Sequence, residues 1–128
     1  MATPTIQIGT VIYAEVCDPN GTPVGPHFCV VILPNAEIDR GDDLRVAVCT
    51  TSFGYPLKSG WFEMPSTPGS RSKLGLREAT VVKATWIQSI PQSEVIRVYQ
   101  RAPVRILKQI INWITNKERD AERKEGEL

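Results

Sequence analysis

Up to about residue 100 the apolar positions come in short runs of strand length, and beyond that point they recur at helical spacing. Gly9 to Cys17 (GTVIYAEVC) is rich in β-branched and aromatic residues and predicts a strand. Phe28 to Leu33 (FCVVIL) is a continuous apolar run that stops at the turn-like pair Pro34-Asn35. Leu44 to Thr51 follows an acidic turn, Asp39-Arg40-Gly41-Asp42-Asp43, and Gly60 to Met64 lies between a Tyr55-Pro56 turn and Pro65. Thr80 to Ile90 restores the strand pattern, and its period of two predicts Lys83, Thr85 and Ile87 on one face with Val82, Ala84 and Trp86 on the other. Ser93 to Tyr99 fits a strand or the start of a long helix. A strand is favoured, because Pro103 suits the first turn of a new helix far better than the interior of an old one.

From Pro103 onward, Ile106, Leu107, Ile110, Ile111 and Ile114 trace one face of a helix with polar residues between them. The segment beyond Thr115, NKERDAERKEGEL, has almost no apolar residue and predicts a charged helical extension or tail over 117–128. Two stretches break the pattern. Asp18 to His27 is dense in Gly and Pro and reads as a turn segment that brings the single histidine to the start of a strand, and 66–76 (STPGSRSKLGL) reads as a loop. The whole predicts one domain over 1–116, mainly β with a C-terminal α-helix at about 103–116. Five or six short strands would form a strongly bent barrel that the helix closes.

Composition adds three constraints. A chain of 128 residues with 41% hydrophobic and 23% charged residues has the make-up of a globular domain. No window reaches the length of an apolar membrane span, and the first residues lack a basic start with an apolar core, so a soluble, cytoplasmic protein without membrane partners is expected. The odd set Cys17, Cys29 and Cys49 argues against a disulfide framework. His27-x-Cys29 offers only two ligands, so neither a metal nor another cofactor is expected.

Net charge of +1 conceals a polar distribution along the chain. Residues 1–60 carry a net of −3, whereas residues 71–108 carry Arg71, Lys73, Arg77, Lys83, Arg97, Arg101, Arg105 and Lys108 against Glu78 and Glu94, a net of +6. A basic stripe of that kind attracts a polyanion such as RNA.

Read in order, the motifs resemble the PemK/MazF family of toxins from type II toxin-antitoxin systems. The resemblance spans about residues 9–114. It rests on the opening glycine and strand, Asp18-Pro19 with Gly21 and Gly25 in the first loop, Val30-Val31-Ile32-Leu33-Pro34, Cys49-Thr50-Thr51, Trp86-Ile87-Gln88-Ser89-Ile90, and the closing helix. The family implies a small SH3-like barrel, also called CcdB-like, that forms a homodimer. It further implies a metal-independent endoribonuclease that cleaves single-stranded RNA by attack of the ribose 2′-hydroxyl, held in check by a cognate antitoxin protein.

Carried over by position, Thr50 matches the family's active-site threonine. His27 stands where the family has its principal catalytic arginine, and Phe28 where a proline follows it. An imidazole can serve as both base and acid, so the resemblance implies His27 and Thr50 as the catalytic pair of an atypical site. Asn20, Thr51, Ser52, Arg71, Lys73, Lys83 and Thr85 are the expected RNA contacts. Thr85, Trp86 and Gln88 replace a carboxylate, a glutamine and a basic residue of the family pattern. The alternative is therefore a barrel that has lost catalysis and binds nucleic acid or protein.

Overall fold

The computed structural model describes residues 5–65 and 73–126, with side chains as far as Arg123. Six strands, β1 (Thr10–Cys17), β2 (Pro23–Val31), β3 (Leu44–Thr50), β4 (Trp61–Glu63), β5 (Val81–Ile90) and β6 (Val95–Arg101), form one antiparallel sheet in the order β4-β5-β3-β2-β1-β6. A short helix α1 (Asn35–Asp39) connects β2 to β3, and a long helix α2 (Val104–Gly126) follows β6. The expected class, mainly β with a C-terminal helix, is what the chain forms.

Alternation along β1 shows how the sequence builds two cores from one sheet. Ile12, Ala14 and Val16 join Cys29, Val31, Val46, Val48 and Ile90 on the inner face of the curled sheet. Val11 points the other way, to a second core with Val30, Ala47, Val82 and Ala84 that α2 covers with Ile106 and Ile110. A slip of one residue would exchange the two sets. Each large aliphatic side chain taken out of water contributes about 1.5 to 3 kcal/mol, so the register is strongly specified.

Three local features depart from the sequence pattern. β2 begins at Pro23 and pairs with β1 from there, so His27 lies inside a strand opposite Ala14, not at the end of a turn segment. β3 pairs only with Cys29 to Val31, which leaves the proline-containing half of β2 with a neighbour on one side alone, where a missing N–H is tolerated. Pro34-Asn35 opens α1 and not merely a turn, and the Gln92 amide donates to the carbonyls of Ile38 (2.9 Å) and Asp42 (2.8 Å) beneath it. Third, α2 runs on unbroken to Gly126, so the charged segment, expected as a helical extension or a tail, takes the helical form with no break at 116.

The face assignment in β5 also changes. Between the pairs Ala47–Ile87 and Cys49–Val82, β5 advances five residues while β3 advances two. Such an irregularity turns the strand over. Ile87 consequently joins Val82 and Ala84 against the helix-side core, and Trp86 packs on the inner core instead of beside them.

Candidate functional site

His27, half-buried, points to the inner side of the sheet, and the small Ala14 across the strand pair leaves room for its ring. Its Nδ1 lies 3.0 Å from the Cys49 carbonyl oxygen. A carbonyl only accepts, so Nδ1 carries the hydrogen, and in the neutral ring Nε2 is the atom with a free lone pair. The next residue on β3 is Thr50, whose Oγ1 accepts the Ser52 N–H at 3.1 Å and keeps its own hydroxyl hydrogen free to donate. A potential base within β2 is thus anchored on the residue that precedes a hydroxyl donor at the end of β3.

Trp86 fixes the ring from the other side. Its indole meets the His27 imidazole edge-on, with centroids 5.4 Å apart and planes at 62°. The Trp86 Nε1–H donates to the Cys17 carbonyl (2.9 Å), and Gln88 Oε1 accepts the Cys17 N–H (3.0 Å). Two side chains of β5 therefore satisfy both backbone groups at the end of β1 and tie the barrel across its open side. These are two of the positions at which the sequence departs from the PemK/MazF pattern.

Beyond Trp86 the site continues as cations over aromatic faces. Lys83 Nζ lies 4.3 Å from the Trp61 ring centroid and 5.5 Å from that of Trp86, and Lys58 Nζ lies 5.1 Å from Trp61. Burial and the Lys58 charge together hold the Lys83 amine below the ordinary lysine range.

The remaining expected contacts are dispersed. Asn20 sits exposed in the β1–β2 turn, where its N–H donates to Asp18 Oδ1. Thr51 lies on the opposite face from His27, in a cleft of about 1020 Å³ walled by Tyr13, Phe28, Tyr99, Arg77 and Arg97. Thr50 and Thr51 thus serve two different surfaces. Ser52 is exposed beside Thr50, and Lys73 is exposed ahead of Leu74. The Thr85 methyl stands against Gly60 next to the Trp113 indole and not with Lys83, because of the irregularity in β5. Arg71 falls outside the described residues.

Sequence reasoning passed over Lys58 and Trp61, whose three-residue spacing has no meaning until β4 pairs Trp61 with Lys83. It also left Tyr13 and Tyr99 unassigned. Each ring sits in a separate strand-like run of the sequence, and the rings gather only when β1, β2 and β6 come side by side, with Tyr13–Phe28 and Phe28–Tyr99 centroids 4.9 and 5.7 Å apart. Among the described residues no three His, Cys, Asp or Glu side chains converge as a metal-binding group, and no helix is long and apolar enough to cross a membrane.

No family model matches the sequence, and no curated protein is significantly similar to it in sequence. Among solved structures the chain is similar to a chain in the crystal structure of MazE-MazF (Form-II) from Deinococcus radiodurans. The TM-score is 0.60 at 17% identity, over 91% of this chain and 95% of that one. The likeness extends over almost the entire length of both chains, and the MazF/PemK-like fold expected from the motifs is the fold observed.

Proposed function

We propose that this chain is the toxin of a toxin-antitoxin pair and a metal-independent endoribonuclease acting on single-stranded RNA. The observation that carries the reading is the His27–Cys49 hydrogen bond, which leaves Nε2 as the basic atom of a ring anchored on the residue just before Thr50. In the reaction Nε2 takes the proton from a ribose 2′-hydroxyl, and the oxygen attacks the adjacent phosphorus. Thr50 donates to a non-bridging oxygen as charge develops there. The bond from phosphorus to the 5′-oxygen breaks, and the imidazolium returns its proton to that oxygen. A 2′,3′-cyclic phosphate and a 5′-hydroxyl result.

The resemblance in fold to a chain crystallised in a MazE-MazF complex supports a protein antitoxin as partner, and a cytoplasmic setting belongs to the same proposal. A homodimer is part of the same reading, with the antitoxin competing for the RNA surface.

Purified protein incubated with mixed-sequence RNA in EDTA should yield fragments ending in cyclic phosphate. His27→Ala should slow cleavage by about 10² to 10⁴, and Thr50→Val by about 10² to 10³. Turnover unaffected by His27→Ala would remove the assignment. A second reading has one observation in its favour: His27 replaces an arginine, and among the described residues no hydrogen bond or ion pair brings another cation to it. A folded protein that binds RNA with no turnover would establish that alternative, a non-catalytic binding barrel.

A further inference from the structure

The pair of ammonium groups over Trp61 is unusual in its charge balance. Lys58 and Lys83 approach one ring, at 5.1 and 4.3 Å from its centroid. Like charges repel, and the negative face of the indole is what holds both. Neither lysine has a carboxylate partner among the described residues, where the ion pair is Arg40 with Asp42. Glu63, the acidic group on the same short strand, is engaged by the Tyr55 hydroxyl. Two cations gathered without a counter-charge form a place for an anion.

Its position says which anion. Lys83 and His27 both touch the Trp86 ring, so the lysine pair lies one aromatic side chain away from the proposed base. His27, Trp86, Lys83, Trp61 and Lys58 make a row in which flat rings alternate with titratable or charged groups. Single strands are held by surfaces of this type, where cations meet phosphates and rings meet bases.

We propose that Lys58 and Lys83, gathered over Trp61, form a phosphate subsite for a nucleotide flanking the one held at His27. The inference rests on the single-stranded RNA reading above, and it deepens that reading by assigning the residues that grip the strand outside the reacting bond. A phosphate seated there supplies the missing counter-charge. It also reverses the electrostatic part of the downward pull on the Lys83 amine.

The probe is a short, mixed-sequence 2′-O-methyl oligoribonucleotide, which binds but lacks the nucleophile. Its affinity is measured by fluorescence anisotropy between about 50 and 200 mM salt. Removing one cation that neutralises a phosphate should reduce the slope of log affinity against log salt by about 0.7, so Lys58→Ala and Lys83→Ala should each show that reduction, and the double variant about twice it. Lys58 is exposed, so its variant tests the subsite without disturbing the core, and Lys83→Arg should restore most of the slope. Addition of the oligonucleotide should also raise the titration of the Lys83 Nζ followed by NMR. A slope unchanged in the double variant overturns the subsite, whether or not RNA is cleaved. A reduced slope in a protein that never cleaves RNA leaves the subsite standing and removes only the catalytic reading. Lysine-dependent binding of an acidic polyglutamate peptide, with oligonucleotide binding indifferent to both lysines, overturns it in favour of a protein ligand.

Discussion

Gly60→Ala should destabilise the protein by about 2 to 5 kcal/mol, through two separable causes. Gly60 has φ +84°, where a side chain costs about 1 to 2 kcal/mol. A Cβ built there would lie 2.8 and 2.9 Å from the Trp113 indole and 3.1 Å from the Thr85 methyl, closer than such atoms pack. The indole cannot retreat freely, because its Nε1–H donates to Ser59 Oγ at 3.0 Å. Nor can the backbone, since the Gly60 carbonyl accepts the Ala84 N–H at 2.7 Å. Overpacking of this kind adds about 1 to 3 kcal/mol.

Gly25 provides the control for that prediction. Its φ of +87° is nearly the same, and no atom lies within 4 Å of the Cβ it would acquire, so Gly25→Ala should show the conformational cost alone. In urea denaturation Gly60→Ala should therefore exceed Gly25→Ala by about 1 to 3 kcal/mol, and the excess should vanish in a Trp113→Ala background. For a loss near 3 kcal/mol the Tm falls by roughly 10 °C. Equal costs at the two glycines would refute the packing argument. So would a Gly60→Ala cost unchanged by removal of the indole.

Two other perturbations test separate parts of the structure. Burial pushes the Cys29 thiol up to about 12 and the Cys49 thiol well above its ordinary range. The folded state therefore keeps protons that the unfolded chain releases above pH 9.0, and stability is lost as pH rises from there towards 12, by about 1.4 kcal/mol per pH unit for each thiol. Cys29→Ala should lower that slope by one thiol's share in denaturation curves taken at successive pH values, and an unaltered slope would contradict the assignment. Trp86→Phe leaves the half-buried Cys17 carbonyl without its donor and should cost about 1 to 2 kcal/mol. The same change should shift the His27 ring resonances, and wild-type stability together with unmoved resonances would show that the strap is dispensable.

Much of the fold could be read from the chain because alternation carries the physics. The runs around Ile12, Val31, Val46 and Val82 are short, rich in β-branched residues and bounded by turn residues, as strands are, and Ile106 and Ile110 sit one helical turn apart. What escaped was non-local. A proline or glycine marks a turn in a lone segment, so Pro23, Gly25 and Pro26 concealed the first half of β2, and only the shortness of its pairing with β3 explains their presence. A strict period of two also has no way to register an irregularity, which is why it places Thr85 and Ile87 on the face of Lys83. In the candidate site, His27 and Thr50 were legible as chemistry, whereas the Lys58–Trp61–Lys83 cluster exists only through the pairing of β4 with β5.

The half of β2 that lacks a β3 partner has a consequence for how the molecules meet one another. An unpaired strand edge is a template for edge-to-edge association, by which a second chain adds its own strand and extends the sheet. Pro23 and Pro26 have no N–H to offer such an intruder, so the edge next to His27 makes a poor seam for aggregation. The residues that most obscure the strand in the sequence are the ones that leave this mouth of the barrel to a solute.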